Sequence, residues 1–288
     1  MPTDHFIELA HLRMHLLDWG GPTDALALLL IHGLASNAKI WNFVAAELAK
    51  TFRVVALDQR SHGLTSAPAE GDFSFANVCG DMRAVGQQLG FERPLVVGHS
   101  WGGSVALEYA LRYPENVAGL VMVDGGFVGL NKRMTWPEAA ERLAPPRLAG
   151  TPLADFQERA KDFLGELHRA EVLDIVMGNF EVRADQTIAP HLAFDNHLKI
   201  VRAMWEQDAD WLYAQVKCPA LYLPCRPLEP HSPMDQQFLA WKRESVAHIQ
   251  RLMPQAQIQW LTDSIHDVPL QRPELVADKV RAFAHSLA

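Results

Sequence analysis

Apolar and polar residues alternate along "FIELAHLRMHLLDWGG" (6–21) and stop at a glycine pair, the period-two pattern of an opening antiparallel hairpin. The next runs, "ALALLLIHG" (25–33) and "FRVVALDQ" (52–59), are apolar without alternation, as in parallel strands covered on both faces. Between them "KIWNFVAAELAK" has helical spacing. The sequence then gives helix over "FANVCGDMRAVGQQLG", strand over "PLVVGHS", helix over "WGGSVALEYALRYP" and strand over "VAGLVMVDGG". Such β-α-β-α-β alternation predicts a parallel, doubly wound sheet with right-handed crossovers.

The rhythm breaks after Gly126. From about 128 to 212 no strand pattern is found, only helical stretches interrupted by "APPRLAGTP". Alternation resumes with strand "PALYLPC" (219–225), a helix through about 236–252, strand "QIQWLTDS" and helix "PELVADKVRAFAHSL". The simplest organisation is a core built from 1–127 and 213–288, with a helical insertion at 128–212. The insertion carries Trp136, Phe163, Phe180, Phe194, Trp205 and Trp211. They can line an apolar pocket, although filling the insertion's own core is the simpler role for any one of them.

Composition narrows the function. The chain has 288 residues, 49% hydrophobic and 21% charged, with a net charge of −8. That surface repels phosphate backbones and anionic lipid, so neither nucleic acid nor membrane is the expected partner. Three cysteines, Cys79, Cys218 and Cys225, show no C-x-x-C spacing, which argues against a disulfide framework or zinc site and fits a reducing cytosol. The first twenty residues lack a basic region followed by an apolar run, and "ALALLLI" is too short to span a bilayer. A cytoplasmic protein is the expectation.

The candidate chemistry sits at "GHSWG" (98–102), which fits G-x-S-x-G between an apolar strand and a helix. A serine presented at such a turn has a strained backbone and needs neighbours without bulky side chains, which Gly98 and Gly102 supply; Gly103 allows closer helix packing. The helix N-terminus aims partial positive charge at the site. The plain alternative is a serine that only caps the helix. A serine hydroxyl needs a base to attack, and His266 lies in "IHDVPLQRP", between the last strand and the last helix.

With "IHGLASNAKIW", "DQRSHGLTS", "GHSWGG" and "IHDVPLQRP" in this order, the sequence resembles the α/β-hydrolase-fold serine hydrolases over nearly the whole chain outside the insertion. The resemblance implies an α/β-hydrolase fold, mostly parallel and doubly wound, with a helical cap. It implies Ser100 as nucleophile, His266 as base, and an oxyanion hole from the backbone N–H groups of Leu34 and Trp101. His99 would orient or pack, and His62 would shape its loop.

The acid departs from the commoner pattern. After "PALYLPC", where many relatives carry Asp, stands Leu228, with Glu229 next and Asp235 further on. Other relatives place the acid after the preceding strand, where this chain has Asp124 followed by Gly125-Gly126. Asp124 is the expected acid and Glu229 the alternative.

The haloalkane dehalogenases and epoxide hydrolases of this fold attack with Asp, so Ser100 argues against both. A Ser/His/acid set with an oxyanion hole implies an acyl-enzyme. The reading is a carboxylesterase-like hydrolase for a small, fairly apolar substrate, with no cofactor and no metal. Carbon–carbon bond hydrolysis of a dienoate ketone, and ligand sensing through a partner, are the alternatives. A homodimer through the insertion's aromatic residues is left open.

Overall fold

The apolar runs form one eight-stranded sheet in this computed structural model, which describes residues 1–228 and 233–287, and for 233–235 only the helical backbone. Its strands are β1 (Thr3–Leu9), β2 (Leu12–Gly20), β3 (Ala27–Ile31), β4 (Arg53–Leu57), β5 (Leu95–His99), β6 (Gly119–Val123), β7 (Ala220–Leu223) and β8 (Ala256–Ile258). The spatial order is β1-β2-β4-β3-β5-β6-β7-β8. Only β1–β2 and β2–β4 are antiparallel; every pairing from β4 to β8 is parallel. The opening alternation thus makes the edge hairpin, and the continuous apolar runs make the two-sided centre.

Helices cover both faces. On one face α2 (Phe75–Gln88) and α3 (Trp101–Arg112) bury Val78, Met82 and Val105 against Leu29, Val55 and Val96. On the other, α1 (Asn42–Leu48) and α11 (Pro273–His285) bury Val44, Leu48, Val280 and Phe283 against Leu28, Leu30 and Val97. Strand residues of opposite parity feed the two cores, which is why these strands carry no polar alternation.

Between β6 and β7 lie five helices, α4 (Trp136–Arg142), α5 (Leu153–Leu164), α6 (Ala170–Met177), α7 (Phe194–Glu206) and α8 (Ala209–Gln215). The expectation of an insertion without strands needs correction. Thr151–Pro152, Phe180–Val182 and Thr187–Pro190 form a small antiparallel sheet. These pieces are two to four residues long, too short for a period-two pattern, and two of them end in proline.

Among the hydrogen bonds that join the insertion to the rest of the chain, two sets lie at the strand ends. The Tyr213 hydroxyl donates to Gly126 O at 2.8 Å and accepts from Val128 N at 2.7 Å, joining the outgoing and returning chain. Buried Asn37, in the loop after β3, donates its amide to Ile175 O at 2.8 Å and Asn179 Oδ1 at 2.6 Å. After β7 come α9 (Pro233–Leu252), β8, α10 (Val268–Gln271) and α11.

Candidate functional site

Ser100 stands between β5 and α3 with φ 53° and ψ −122°. A non-glycine residue in this region is strained and persists only where its surroundings enforce it. Here Ser100 N donates to Val123 O at 3.1 Å, and Ser100 O accepts from Gly103 N at 3.0 Å. The glycines around it are demanded by space. A Cβ on Gly98 would lie 2.1 Å from Gly102 O, and one on Gly102 would lie 2.4 Å from Ile31 O. The turn is therefore a close crossing of three backbones, with the serine held at its apex.

Asp124 follows β6 and also has positive φ, 43°. The residue that turns the chain is thus Asp124 itself, joined by Gly126 at φ 72°. Gly125 is small for another reason, since its Cβ would meet Ser100 O at 2.2 Å. The Asp124 carboxylate, 3% exposed, accepts from His266 Nδ1 at 2.8 Å through Oδ2. Its Oδ1 accepts from Cys225 N at 2.7 Å and from Lys242 Nζ at 2.6 Å. Burial alone would raise its pKa, but the hydrogen bond and charge of His266, then the Lys242 charge, outweigh burial and hold it at about 2.

His266 lies in the loop before α10, its side chain 56% exposed. Desolvation opposes its protonation, yet the Asp124 hydrogen bond and charge win, and its pKa stands above the ordinary histidine value. With Nδ1 committed to Asp124, Nε2 is the nitrogen left for proton transfer. Ser100 and His266 line the same cavity of about 580 Å³, together with Asp124 and Trp101. Ser100 Oγ and His266 form no hydrogen bond with each other here; such bonds commonly tighten only when substrate binds.

His99, the residue before the serine, is fully enclosed. Burial, then the neighbouring His266 charge, pushes its pKa down to about 4. It is therefore neutral near pH 7, and its Nε2–H donates to His266 O at 2.9 Å. The elbow thus grips the backbone of the base.

The loop after β3 carries Leu34, half-buried, beside Gly33, whose Cβ would lie 2.9 Å from Ser100 Cβ. Neutral histidines brace this loop. His32 donates from Nδ1 to Gly33 O at 2.7 Å and accepts Gln59 N at Nε2, 3.0 Å. His62, pushed by burial to about 3, accepts Ala35 N at 3.2 Å. Among the described residues, neither Leu34 N–H nor Trp101 N–H has a hydrogen-bond acceptor. The Trp101 N–H stands at the head of α3 next to Ser100, and the Leu34 N–H follows Gly33, which packs against the serine.

The family described as alpha/beta hydrolase fold matches residues 27–175, more than half of the chain. The chain belongs to that family. An uncharacterised protein of Mycobacterium bovis is 42% identical over 127 residues, 42% of this chain and 37% of the relative. Epoxide hydrolase 1 of Caenorhabditis elegans is 38% identical over 117 residues, 40% of this chain and 29% of that protein. The matched stretches thus span about a third of these relatives' own length. Among solved structures, E-2-(acetamidomethylene)succinate hydrolase aligns with TM-score 0.78 at 18% identity, over 98% of this chain and 99% of the other, a likeness of fold.

As an α/β-hydrolase, the chain brings the expected Ser100, His266, Asp124 and Trp101 to one cavity. Leu34 lies in the adjoining loop. Glu229 lies outside the described residues. Of the insertion's aromatic residues, Phe163, Phe180 and Phe194 line a second cavity. Trp136 and Trp205 pack on each other with ring centroids 6.2 Å apart, and Trp211 is exposed. Lys242 was not legible as a site residue. It sits in "AWKRESVAH", where a helical lysine reads as a solvated charge.

Proposed function

We propose that this α/β-hydrolase cleaves a small, fairly apolar carboxylic ester, or a related acyl compound, through an acyl-enzyme on Ser100. The observation that carries the reading is the strained Ser100 at the head of α3, lining one cavity with an imidazole already hydrogen-bonded to a buried carboxylate. Neutral His266 takes the Ser100 proton at Nε2 as Oγ attacks the carbonyl carbon. The carbonyl oxygen becomes an oxyanion beside the N–H groups of Leu34 and Trp101, and Asp124 stabilises the imidazolium. Collapse expels the alcohol, which takes the proton from His266. Water then repeats the sequence on the acyl-enzyme, releases the acid and restores Ser100.

The cavity suits such a substrate, with Phe127, Leu130, Leu143 and Met204 among its apolar walls. Serine at the elbow speaks against the epoxide-opening and dehalogenating chemistry in which relatives of this fold attack with Asp. Losing one oxyanion donor typically costs about 3 kcal/mol of transition-state stabilisation, so a Ser100 held in this place without acyl chemistry would waste both N–H groups.

The test is covalent labelling by a fluorophosphonate together with turnover of a p-nitrophenyl ester series. The reading expects both in the parent protein and neither in Ser100→Ala. A folded parent protein that is neither labelled nor active would overturn it and favour a ligand-sensing role.

A further inference from the structure

A second cavity, of about 770 Å³, lies between the insertion and the loops at 35–36 and 62–63. A thin wall separates it from the Ser100 cavity. His62 on one side stacks against Trp101 on the other, ring centroids 5.7 Å apart. His197 on one side donates to the backbone oxygen of Leu143 on the other at 2.8 Å.

Its lining is apolar and aromatic, with buried Phe156 and Leu192, half-buried Phe180 and Phe194, and exposed Phe163. Its charged lining is of one sign: Arg147, Arg159 and Arg183 contribute, and no Asp or Glu does. In a chain of net charge −8, that segregation is unusual. Among the described residues, none of the three guanidinium groups is paired with a carboxylate. Arg147 lies over the Phe194 ring, 4.0 Å from its centroid, so the ring fixes its plane and leaves the N–H edges free. Arg159 gives Nε to Asp155 O on its own helix at 3.2 Å. Asp185, whose carboxyl responds to the Arg183 charge, is already held by Thr187 N at 3.0 Å and Thr187 Oγ1 at 2.7 Å.

We propose that this cavity binds an apolar molecule ending in a carboxylate. The hydrophobic body fills the aromatic chamber, and the carboxylate meets the arginine rim. A planar guanidinium matches a carboxylate with two parallel hydrogen bonds, and stacking on an aromatic ring removes part of the entropy that such a contact loses. The histidines add polarity without charge: burial pushes the pKa of His191 and His197 down, so both are neutral near pH 7. The positive charge of the rim thus comes from the arginines alone. The proposal does not depend on acyl chemistry at Ser100, because a free carboxylate is bound and not cleaved.

The test uses dansyl-aminoundecanoic acid, titrated into the full chain and followed by dansyl emission. Saturable binding with a blue shift is expected. Its uncharged carboxamide should bind about tenfold more weakly, the loss of one charge-assisted contact of roughly 1.4 kcal/mol. The double variant Arg147→Gln/Arg183→Gln should lose affinity for the acid by a similar factor and leave that for the amide unchanged. Both arginines are exposed, so folding should survive, as circular dichroism checks. Leu130→Trp, which fills part of the Ser100 cavity, should leave binding intact. Absence of binding, equal affinity for acid and amide, indifference to the arginine changes, or loss on Leu130→Trp would each overturn the proposal.

Discussion

Lys242 Nζ lies 2.6 Å from Asp124 Oδ1, while His266 Nδ1 lies 2.8 Å from Asp124 Oδ2, so one carboxylate is divided between an ammonium and an imidazole. The two donors share it. Asp124 raises the pKa of His266, and the Lys242 charge lowers it. Neutral imidazole is the form that accepts the serine proton, so activity rises as pH passes upward through that pKa. Replacing Lys242 with Met removes the lowering influence, and the acid limb of kcat/KM should move to higher pH. A lysine that only supported the fold would lower activity without moving the limb. The same substitution deprives a buried carboxylate of a partner and should reduce stability by about 3 kcal/mol, measured by urea unfolding.

Asp124→Asn should lower kcat by about three to four orders of magnitude on esters, with little change in KM, because the amide fails to hold the imidazole in the required tautomer or to stabilise its charge. Glu229→Gln should leave turnover near that of the parent protein. The reverse pattern would transfer the acid role to Glu229.

Two glycines separate steric demand from chain flexibility. Gly98→Ala puts a methyl group 2.1 Å from Gly102 O, so the elbow must open; soluble protein and ester turnover should both fall sharply. Gly80, inside α2, has no atom within 4 Å of its would-be Cβ. Gly80→Ala should raise stability by about 0.5–1 kcal/mol through helix propensity, measured as a higher Tm.

Asp58 makes stability depend on pH. Its carboxylate accepts from His15 Nδ1 at 2.7 Å, Ala38 N at 2.6 Å and Leu64 N at 2.9 Å. Burial would raise its pKa, but the hydrogen bond and charge of His15 and the Ala38 N–H bring it below the usual aspartate value. A carboxyl with a lowered folded pKa stabilises the protein above its unfolded value and loses that contribution as pH falls through the folded one. His15 is raised despite burial by Asp58 and Asp4, so its contribution is complete below the ordinary histidine value and fades as pH rises through the higher folded value. Asp58→Asn should destabilise by about 3–5 kcal/mol near neutral pH. It should also flatten both slopes of urea midpoint against pH.

The elbow was legible because its requirements are local: two small residues flank a serine where an apolar strand meets a helix. The position of His266 was legible because it follows the last strand and precedes the last helix. Asp124 is expected from its place after β6, with Glu229 as the alternative; Asp at a strand end is common, and what the structure adds is its hydrogen bond to His266. Lys242 left no trace in the pattern, because its role comes from where α9 passes Asp124 and Cys225, the residues beyond β6 and β7. The small sheet of the insertion was hidden for a different reason: strands of this length, broken by Pro152 and Pro190, carry no period.

Asn37 sits three residues beyond Leu34 and grips both Ile175 O and Asn179 Oδ1. A shift of the insertion at α6 would therefore be transmitted to the strand-end loop that carries Leu34.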